Sequence, residues 1–483
     1  MKIQKTILIL SLSLFANACA NNDEYKSDLK KDVKSEFLTK DSNISSAIPA
    51  DNWWLEFNDE LLNQLVELGL KNNKDIQIAN LAIVTSRQLN NINATTLLPT
   101  GTAGISRQRF ASPGFGPNGV KYDLFQSTFD ASWELDFFGK NLDRYKAGKL
   151  RFLKEMQLYK ASTLRVASEI AQNYIELKSL QKQISDLEKI SDIKNKLNDL
   201  AIKKEAAGSV SKIDIHNAEI NYNTALNSLT DAKTNEKILA YKLAVLIGET
   251  PDKILEILNK PNKKEIFDYY SGLVPVGLKS DILQRRPDII AANYEIDAAV
   301  FDKSAQFKEF LPSFNLTAKI GGGAKDLGGM FKNGANVKDL RGGVSVPIFS
   351  IGQLMAEYKI SKANAKIAVL DYEKTVLSAL EECESQLVRY VNALQIENNS
   401  SRSLQASNKI LEISENKKRF GAMSSEQLFN TQIANLNNEI QLAQKKTDSL
   451  VNLIALHKAI GGGFEGYEMR FKDDQVSWVE KKK

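Results

Sequence analysis

The sequence contains few of the residues that form disulfides or bind metals. Its 483 residues include only two cysteines and two histidines, which excludes a disulfide scaffold and argues against a zinc site. Only ten prolines occur, and none falls within residues 140–207 or 353–420. The 64 basic and 59 acidic residues are interspersed, without the clustered basic and aromatic residues of a nucleic-acid surface. We therefore expect neither nucleic acid nor a metal as a partner.

The first residues are typical of an export signal. Lys2 and Lys5 precede an apolar run from Ile7 to Phe15, and the small residues of "ANA" lead to Cys19. The run is too short to span a bilayer. The site resembles a bacterial lipobox, which implies a signal peptide over residues 1–18 and a covalent N-acyl diglyceride lipid on Cys19. A plain signal peptide with an incidental cysteine is the alternative. Residues 19–50 are polar and Lys-rich, as a tether would be.

The strongest internal signal is a repeat with a spacing of 213 residues. "NKDIQIAN" around Asp75 matches "RPDIIAAN" around Asp288. Three further pairs of landmarks have the same spacing: Pro99 and Pro312, Gly208 and Gly421, Gly248 and Gly461. We therefore predict one repeat over residues 51–250 and a second over 276–465, separated by an inter-repeat segment, 251–275, and followed by a C-terminal tail, 466–483.

Within each predicted repeat the periodicity changes from helix to strand and back. Helical runs are expected over 61–98 and 281–311. Apolar and polar residues then alternate, as in Phe129 to Trp133, which predicts two strands within about 100–138 and two within about 313–348.

After the strands, apolar residues recur at three- and four-residue steps, the periodicity of coiled coils. This predicts helical hairpins over 140–247 and 353–460, with Gly208 and Gly421 at the bends. Glycine is suited to a bend because it tolerates the positive φ that ends a helix.

The predicted strands require a partner. Each has one apolar and one polar face, the pattern of a barrel with lipid outside and water inside. One chain supplies only four strands, and an open sheet edge is not viable in hydrocarbon, where every backbone polar group must be paired. A homo-oligomer therefore follows, although this reasoning leaves open the number of copies. The long hairpins would extend into an aqueous compartment and form a tube around the same axis.

Several stretches resemble the TolC-like outer membrane efflux proteins, in particular the OprM and NodT-like lipoprotein branch. They include "NWWLEFNDELLNQLVELGLKNNKDIQIAN", "ASWELDFFGK", "SDILQRRPDI", "PIFSIGQ" and "LHKAIGGGF". The resemblance implies a mixed α and β membrane protein, a homotrimer with one shared 12-stranded barrel and a periplasmic α-helical barrel. It also implies that residues 250–275 and the two ends of the mature chain form a belt around the middle.

The same resemblance assigns roles to residues at the hairpin bends. In such proteins the bends are the tips that contact a periplasmic adaptor. They correspond here to Ala207, Gly208, Ser209, Phe420, Gly421 and Ala422. Residues just past each bend form the periplasmic gate and correspond to Asp214, Gln427 and Asn430. Simple alternatives stay open: each glycine can be a plain helix stop, and Asp214 a solvated helix residue.

The resemblance implies a passive outer membrane duct for an inner-membrane pump of the resistance-nodulation-division class, joined to it by the adaptor and conducting drugs or other small molecules. A duct for type I protein secretion is the alternative. A periplasmic coiled-coil protein without a pore is a third possibility. No nucleophile, base and orienting group occur together, so we expect no enzyme activity and no cofactor beyond the lipid on Cys19.

Overall fold

The structure is a computed structural model that describes residues 25, 27, 36–47, 52–112, 120–259, 274–332, 336–462, 467–472 and 475–480. Cys19 and the predicted signal peptide lie outside the described residues. Within them, no helix has the combination of length and apolar character needed to cross a membrane.

Long helices and one central sheet account for most of the described residues. The strands are β1 (Ile44–Ser45), β2 (Thr100–Ser112), β3 (Val120–Leu135), β4 (Val274–Pro275), β5 (Ser313–Ala324), β6 (Asn336–Ser345), β7 (Tyr467–Lys472) and β8 (Gln475–Glu480). The helices are α1 (Glu60–Asn72), α2 (Lys74–Thr95), α3 (Lys140–Ala206), α4 (Lys212–Leu246), α5 (Pro251–Leu258), α6 (Ile282–Arg285), α7 (Pro287–Lys308), α8 (Ile351–Arg419) and α9 (Ser425–Ala459). Short 3-10 turns lie at Trp53–Phe57, Lys279–Asp281 and Gly329–Phe331.

The order of elements in the first half recurs in the second. Helices α2 and α7 begin 213 residues apart, as do α4 and α9. Helix α3 has 67 residues and α8 has 69, so each is about 100 Å long at 1.5 Å per residue. The four glycines among the landmarks, Gly208, Gly248, Gly421 and Gly461, all have positive φ, between 69° and 73°.

Both predicted first helical runs are interrupted, which corrects the expectation of one helix in each. Helix α1 ends before Asn73, whose side-chain oxygen caps α2 by accepting from the N–H groups of Asp75 and Ile76 at 2.9 and 3.2 Å. In the second half the break falls at Arg286, because Pro287 pushes the preceding residue to extended φ and ψ.

All four strands of the sheet lie within the ranges predicted for them, with β3 ending at Leu135 and β6 at Ser345. Pro347, two residues after β6, lacks the backbone N–H that a further ladder hydrogen bond would need.

One of two compact units contains the four-stranded sheet and takes in Ala82–Gln157 and Ile290–Thr375. Its strand order is β2-β3-β5-β6, with every neighbouring pair antiparallel. The register places Thr102, Asp130, Lys319 and Asp339 in one cross-strand row, and Ala103, Phe129, Ile320 and Lys338 in the next. Since neighbouring rows point to opposite faces, one face carries the polar row, whereas aromatic and aliphatic residues dominate the other.

Charged side chains join the helices that flank this sheet. Lys308 donates to Asp143, which is nearly buried and also accepts from Ser304 at 2.6 Å. Lys140 contacts Glu309 at 3.3 Å. These contacts connect the end of α7 to the start of α3.

The other compact unit takes in Lys31–Leu81, Leu158–Ile289 and Val376–Lys483. Its core includes Trp53, which has no exposed surface and stacks on His457 at a centroid distance of 5.5 Å. Asp59 caps α1 through Leu61 and accepts from the hydroxyl of Tyr174 at 2.9 Å. These contacts hold the short N-terminal helices against the long ones.

The two helix breaks anchor the return helices of the hairpins. The amide of Asn73 donates to the carbonyl of Leu246, the last residue of α4, at 2.8 Å. The guanidinium of Arg286 donates to the carbonyl of Ala459, the last residue of α9, also at 2.8 Å. Two different side chains therefore satisfy equivalent orphan carbonyls at helix C-termini.

Candidate functional site

The two hairpin bends have the same backbone geometry. In the first, Gly208 has φ of 70° and Ser209 donates its N–H to the carbonyl of Lys204 at 2.8 Å. In the second, Gly421 has φ of 73° and Ala422 donates to the carbonyl of Lys417 at 2.8 Å. This is the Schellman ending, which requires a left-handed residue and therefore favours glycine.

The bends are exposed and unobstructed. A Cβ atom added to Gly208 or Gly421 would meet no atom within 4 Å. Phe420 is 83% exposed, although burying a side chain of that size stabilises a protein by about 2 kcal/mol. At the second bend the Phe420 ring is therefore accessible to another molecule.

The predicted gate residue Asp214 has a local structural role in the single chain. Its carboxylate accepts from the backbone N–H and the hydroxyl of Ser211, at 2.8 and 2.9 Å. These two hydrogen bonds lower the pKa of Asp214, so the side chain is ionised at neutral pH. A negative charge in the first turn also interacts favourably with the α4 dipole.

Gln427 occupies the equivalent position in the second hairpin. Its side-chain oxygen accepts from the N–H of Ser424 at 3.0 Å, and its own N–H donates to the hydroxyl of Ser424 at 3.1 Å. This is a capping box. The second hairpin therefore has the same cap without the charge.

A groove of about 280 Å³ lies beside the first bend and contains two of the three predicted gate residues. Asp214 and Asn430 line it, whereas Gln427 does not. Lys204 of α3 and Glu426 of α9, which form an ion pair, also line it. The structure therefore brings α3, α4 and α9 together at the predicted gate.

Sequence analysis did not predict the pair of Lys204 and Glu426. The two residues are 222 positions apart, and each belongs to a helix end where a charge of its sign is expected for local reasons. Only the prediction that both bends meet at one end could have pointed to it.

An apolar cluster supports the groove from within the same unit. Ile190, Ile193, Ala225, Ile433 and Leu436 are all at most 9% exposed. These residues come from α3, α4 and α9, so the first hairpin packs on the return helix of the second.

Two other residues that the sequence draws attention to are buried. His457 is 1% exposed and, among the described residues, neither ring nitrogen has a hydrogen-bond partner. Burial lowers the pKa of His457 to about 4. Cys383 has no exposed surface, and burial raises the pKa of its thiol to about 12. Both are packing residues at neutral pH.

No group of three or more potential metal ligands occurs in the part of the chain that the structure describes. The predicted lipidation residue Cys19 is outside that part, so the geometry bears only on the tips and the gate.

The sequence matches the family model described as outer membrane efflux protein over residues 65–249 and again over 278–462. The two matches begin 213 residues apart, the spacing of the landmarks.

Two curated proteins match nearly the whole chain. The probable efflux pump outer membrane protein TtgC of Pseudomonas putida is 26% identical over 454 residues, covering 92% of this chain and 90% of that protein. The toxin and drug export protein A of Aggregatibacter actinomycetemcomitans is 23% identical over 471 residues, covering 96% of this chain and 98% of that protein.

Among solved structures, the CmeC outer membrane channel of Campylobacter jejuni superposes with a TM-score of 0.81. It is 26% identical and covers 89% of this chain and 91% of that chain.

Proposed function

Because the chain belongs to the outer membrane efflux protein family, we propose that three copies form one duct that passively conducts small molecules from an inner-membrane pump to the exterior. The family and its neighbours are outer membrane channels rather than enzymes, and the chain is an efflux channel of the outer membrane. The copy number, the passive mechanism, the partners and the lipid on Cys19 belong to the proposal.

The observation that supports the duct most strongly is the open sheet. Strands β2 and β6 are its edges, and neither has a second neighbour among the described strands. Its apolar face leaves Phe129, Ile320 and Leu340 more than half exposed. Contact between that face and lipid is favourable, but the backbone groups of the two edge strands must be paired by other chains. Three copies of four strands give a closed barrel of twelve, within the range of outer membrane barrels.

The oligomer is tested with the full chain extracted from outer membranes in a non-ionic detergent. We expect a protein mass of about three chains of 53.8 kDa, less the signal peptides, and stepwise conductance in planar bilayers. A monomer without conductance would contradict the proposal.

At the hairpin ends we propose contact with a periplasmic adaptor. The exposure of Gly208, Gly421 and Phe420 supports it. The substitutions Ser209→Arg and Ala422→Arg place a bulky charge at each tip without disturbing the glycines. We expect loss of drug export at normal channel levels, whereas Ser228→Arg on the exposed side of α4 should export normally. Normal export by the tip variants would contradict adaptor contact.

At the gate we propose that Asp214 from three copies forms a ring of charge that favours cations. Asp214→Asn retains an oxygen that can accept from Ser211, so it separates the charge from the helix cap. We expect cation selectivity to fall in Asp214→Asn and in Asp214→Ala, but not in Glu219→Gln, which removes an exposed charge from the same helix. Unchanged selectivity in both Asp214 variants would assign the residue to capping alone.

Protein export is a second candidate, favoured by the name of one relative, toxin and drug export protein A. Deletion of the gene separates the two candidates. A small-molecule duct predicts retention of a fluorescent pump substrate with normal protein secretion, and a secretion duct predicts the reverse.

A further inference from the structure

The apolar face of the sheet changes character near the hairpin turn between β2 and β3. Along β3 this face carries Leu135, Trp133, Ala131, Phe129, Ser127 and Phe125, followed by Asp123 and Lys121. The ten residue-to-residue steps from Leu135 to Phe125 rise about 34 Å, or about 25 Å along the normal of a membrane at a 40–45° strand tilt, which matches the apolar band of outer membrane barrels. On β2 and β3 the charged positions therefore begin where the hydrocarbon would end.

Arg107, Arg109 and Lys121 lie at or beyond this boundary on the apolar face, and Lys338 lies inside it; we call these four residues the basic collar. Arg107 and Arg109 lie on β2, and Lys121 is on the neighbouring strand. Lys338 is on β6, level with Phe129, and a lysine at that depth extends its ammonium toward the interface. All four are exposed. The arginine side chains are 57% and 75% exposed, although they form ion pairs.

Among the described residues of this face, Asp123 is the only acidic one. Arg107 contacts it at 2.9 Å and Arg109 at 3.9 Å. The guanidinium of Arg107 also lies 5.3 Å from the centroid of the Phe125 ring. One carboxylate shared between two arginines leaves the collar with a net charge of about +3 and with unused guanidinium donors.

The opposite end of the same face has a different composition. Phe137, Phe138 and Phe314 form an aromatic cluster there, with centroids 5.1 to 6.2 Å apart. Aromatic residues are found at both interfaces of a membrane, whereas a cluster of cations is suited to an interface with anionic lipid headgroups. The long helices continue from the aromatic end, so in the proposed duct the basic collar lies on the outer, cell-exterior side.

We infer that the basic collar binds phosphate-bearing headgroups of lipids in the outer leaflet, an inference that rests on the proposed barrel. Guanidinium groups bind phosphate oxygens bidentately, and ammonium groups bind them as point charges. The apolar band directly below the collar brings lipid headgroups, rather than a protein or a free ion, to this height. The partner is therefore an anionic lipid that helps to fix the depth of the barrel.

The test compares three forms of the full-length channel in non-ionic detergent: the wild type, a collar variant and a matched control. The collar variant is Arg109→Gln with Lys121→Gln, which leaves Arg107 and its pair with Asp123 in place. The control is Lys319→Gln with Arg341→Gln, which removes the same charge from the polar face of the same sheet. Retained lipid is counted by native mass spectrometry after titration with phosphatidylglycerol or phosphatidylcholine.

We expect the wild type and the control to retain phosphatidylglycerol, and the collar variant to bind it about 25-fold more weakly, since each cation near an anionic surface contributes about fivefold. Phosphatidylcholine binding should be equal in all three. Equal retention of phosphatidylglycerol by the collar variant would overturn the inference. So would displacement of the lipid by inorganic phosphate at matched ionic strength, because that result would indicate a plain anion site.

Conductance of the three proteins in phosphatidylcholine bilayers separates this inference from the proposed function. If all three proteins form channels but retain phosphatidylglycerol equally, the collar inference is wrong and the proposed duct is not affected. If none of the three forms a channel, the proposed duct is wrong.

Discussion

His457 offers a prediction whose size follows directly from the structure. Its ring is buried and stacks on Trp53 with an interplanar angle of 7°. The only other histidine, His216, is exposed, with 72% of its side chain accessible. Replacement of His457 by phenylalanine keeps an aromatic ring against Trp53 and removes the titrating group.

Burial lowers the pKa of His457 from 6.5 to about 4. The unfolded chain therefore takes up a proton before the folded chain does, and stability that is present above pH 6.5 is lost as the pH falls through 4. The full difference is about 3 kcal/mol, of which about 2 kcal/mol is lost between pH 7 and pH 5. Most carboxylates stay ionised in that window, so the histidine dominates the change.

The assay is chemical unfolding of the detergent-solubilised channel at pH 5, 6 and 7, followed by tryptophan fluorescence. We expect the free energy of unfolding of the wild type and of His216→Gln to fall by about 2 kcal/mol from pH 7 to pH 5. His457→Phe should lose most of this dependence. If His457→Phe retains the wild-type slope, the histidine is not held neutral by burial and the reasoning is wrong.

Three further predictions concern packing and chemistry. Gly208→Ala should cost about 1 kcal/mol for its positive φ alone, whereas Gly248→Ala, at nearly the same φ, should cost more in the same unfolding assay because its Cβ would collide with the backbone oxygen of Asn72. The native mature protein should react with no maleimide at pH 8. Burial keeps the thiol of Cys383 protonated, and lipidation would block the thiol of Cys19. One label per chain would indicate that Cys19 is unmodified. Arg286→Met should lower the free energy of unfolding by about 3 kcal/mol, because it leaves the carboxylate of Glu382 without its ion-pair partner. Adding Glu382→Gln should recover part of that loss. If it recovers none, the loss is due to packing.

The local elements follow from the sequence because their signals are local. Glycine at a helix end determined both bends, and proline-free coiled-coil periodicity indicated helices that the structure confirms at 140–206 and 351–419. The alternation of apolar and polar residues identified all four strands of the central sheet.

The features that sequence analysis missed depend on contacts between distant residues. The helix break at Asn73 has no glycine or proline beside it, and its side chain bonds to Leu246, 173 residues away. The groove at the bends depends on Lys204 meeting Glu426 across two hairpins. The role of Asp214 was expected from resemblance, whereas its hydrogen bonds to Ser211 became evident only from the folded backbone.

The central claim is that the edges of the sheet are closed by other copies of this chain. Disulfide cross-linking in intact outer membranes tests it most directly, with one cysteine at Gly104 on β2 and a second placed in turn at Val337, Asp339, Arg341 or Gly343 on β6. The two edges lie on opposite sides of one sheet, so a bond between them must join neighbouring copies. The account predicts covalent dimers and trimers, and no larger species, for at least one of these pairs. Monomer alone at every position, with the cysteines accessible to maleimide, would contradict it.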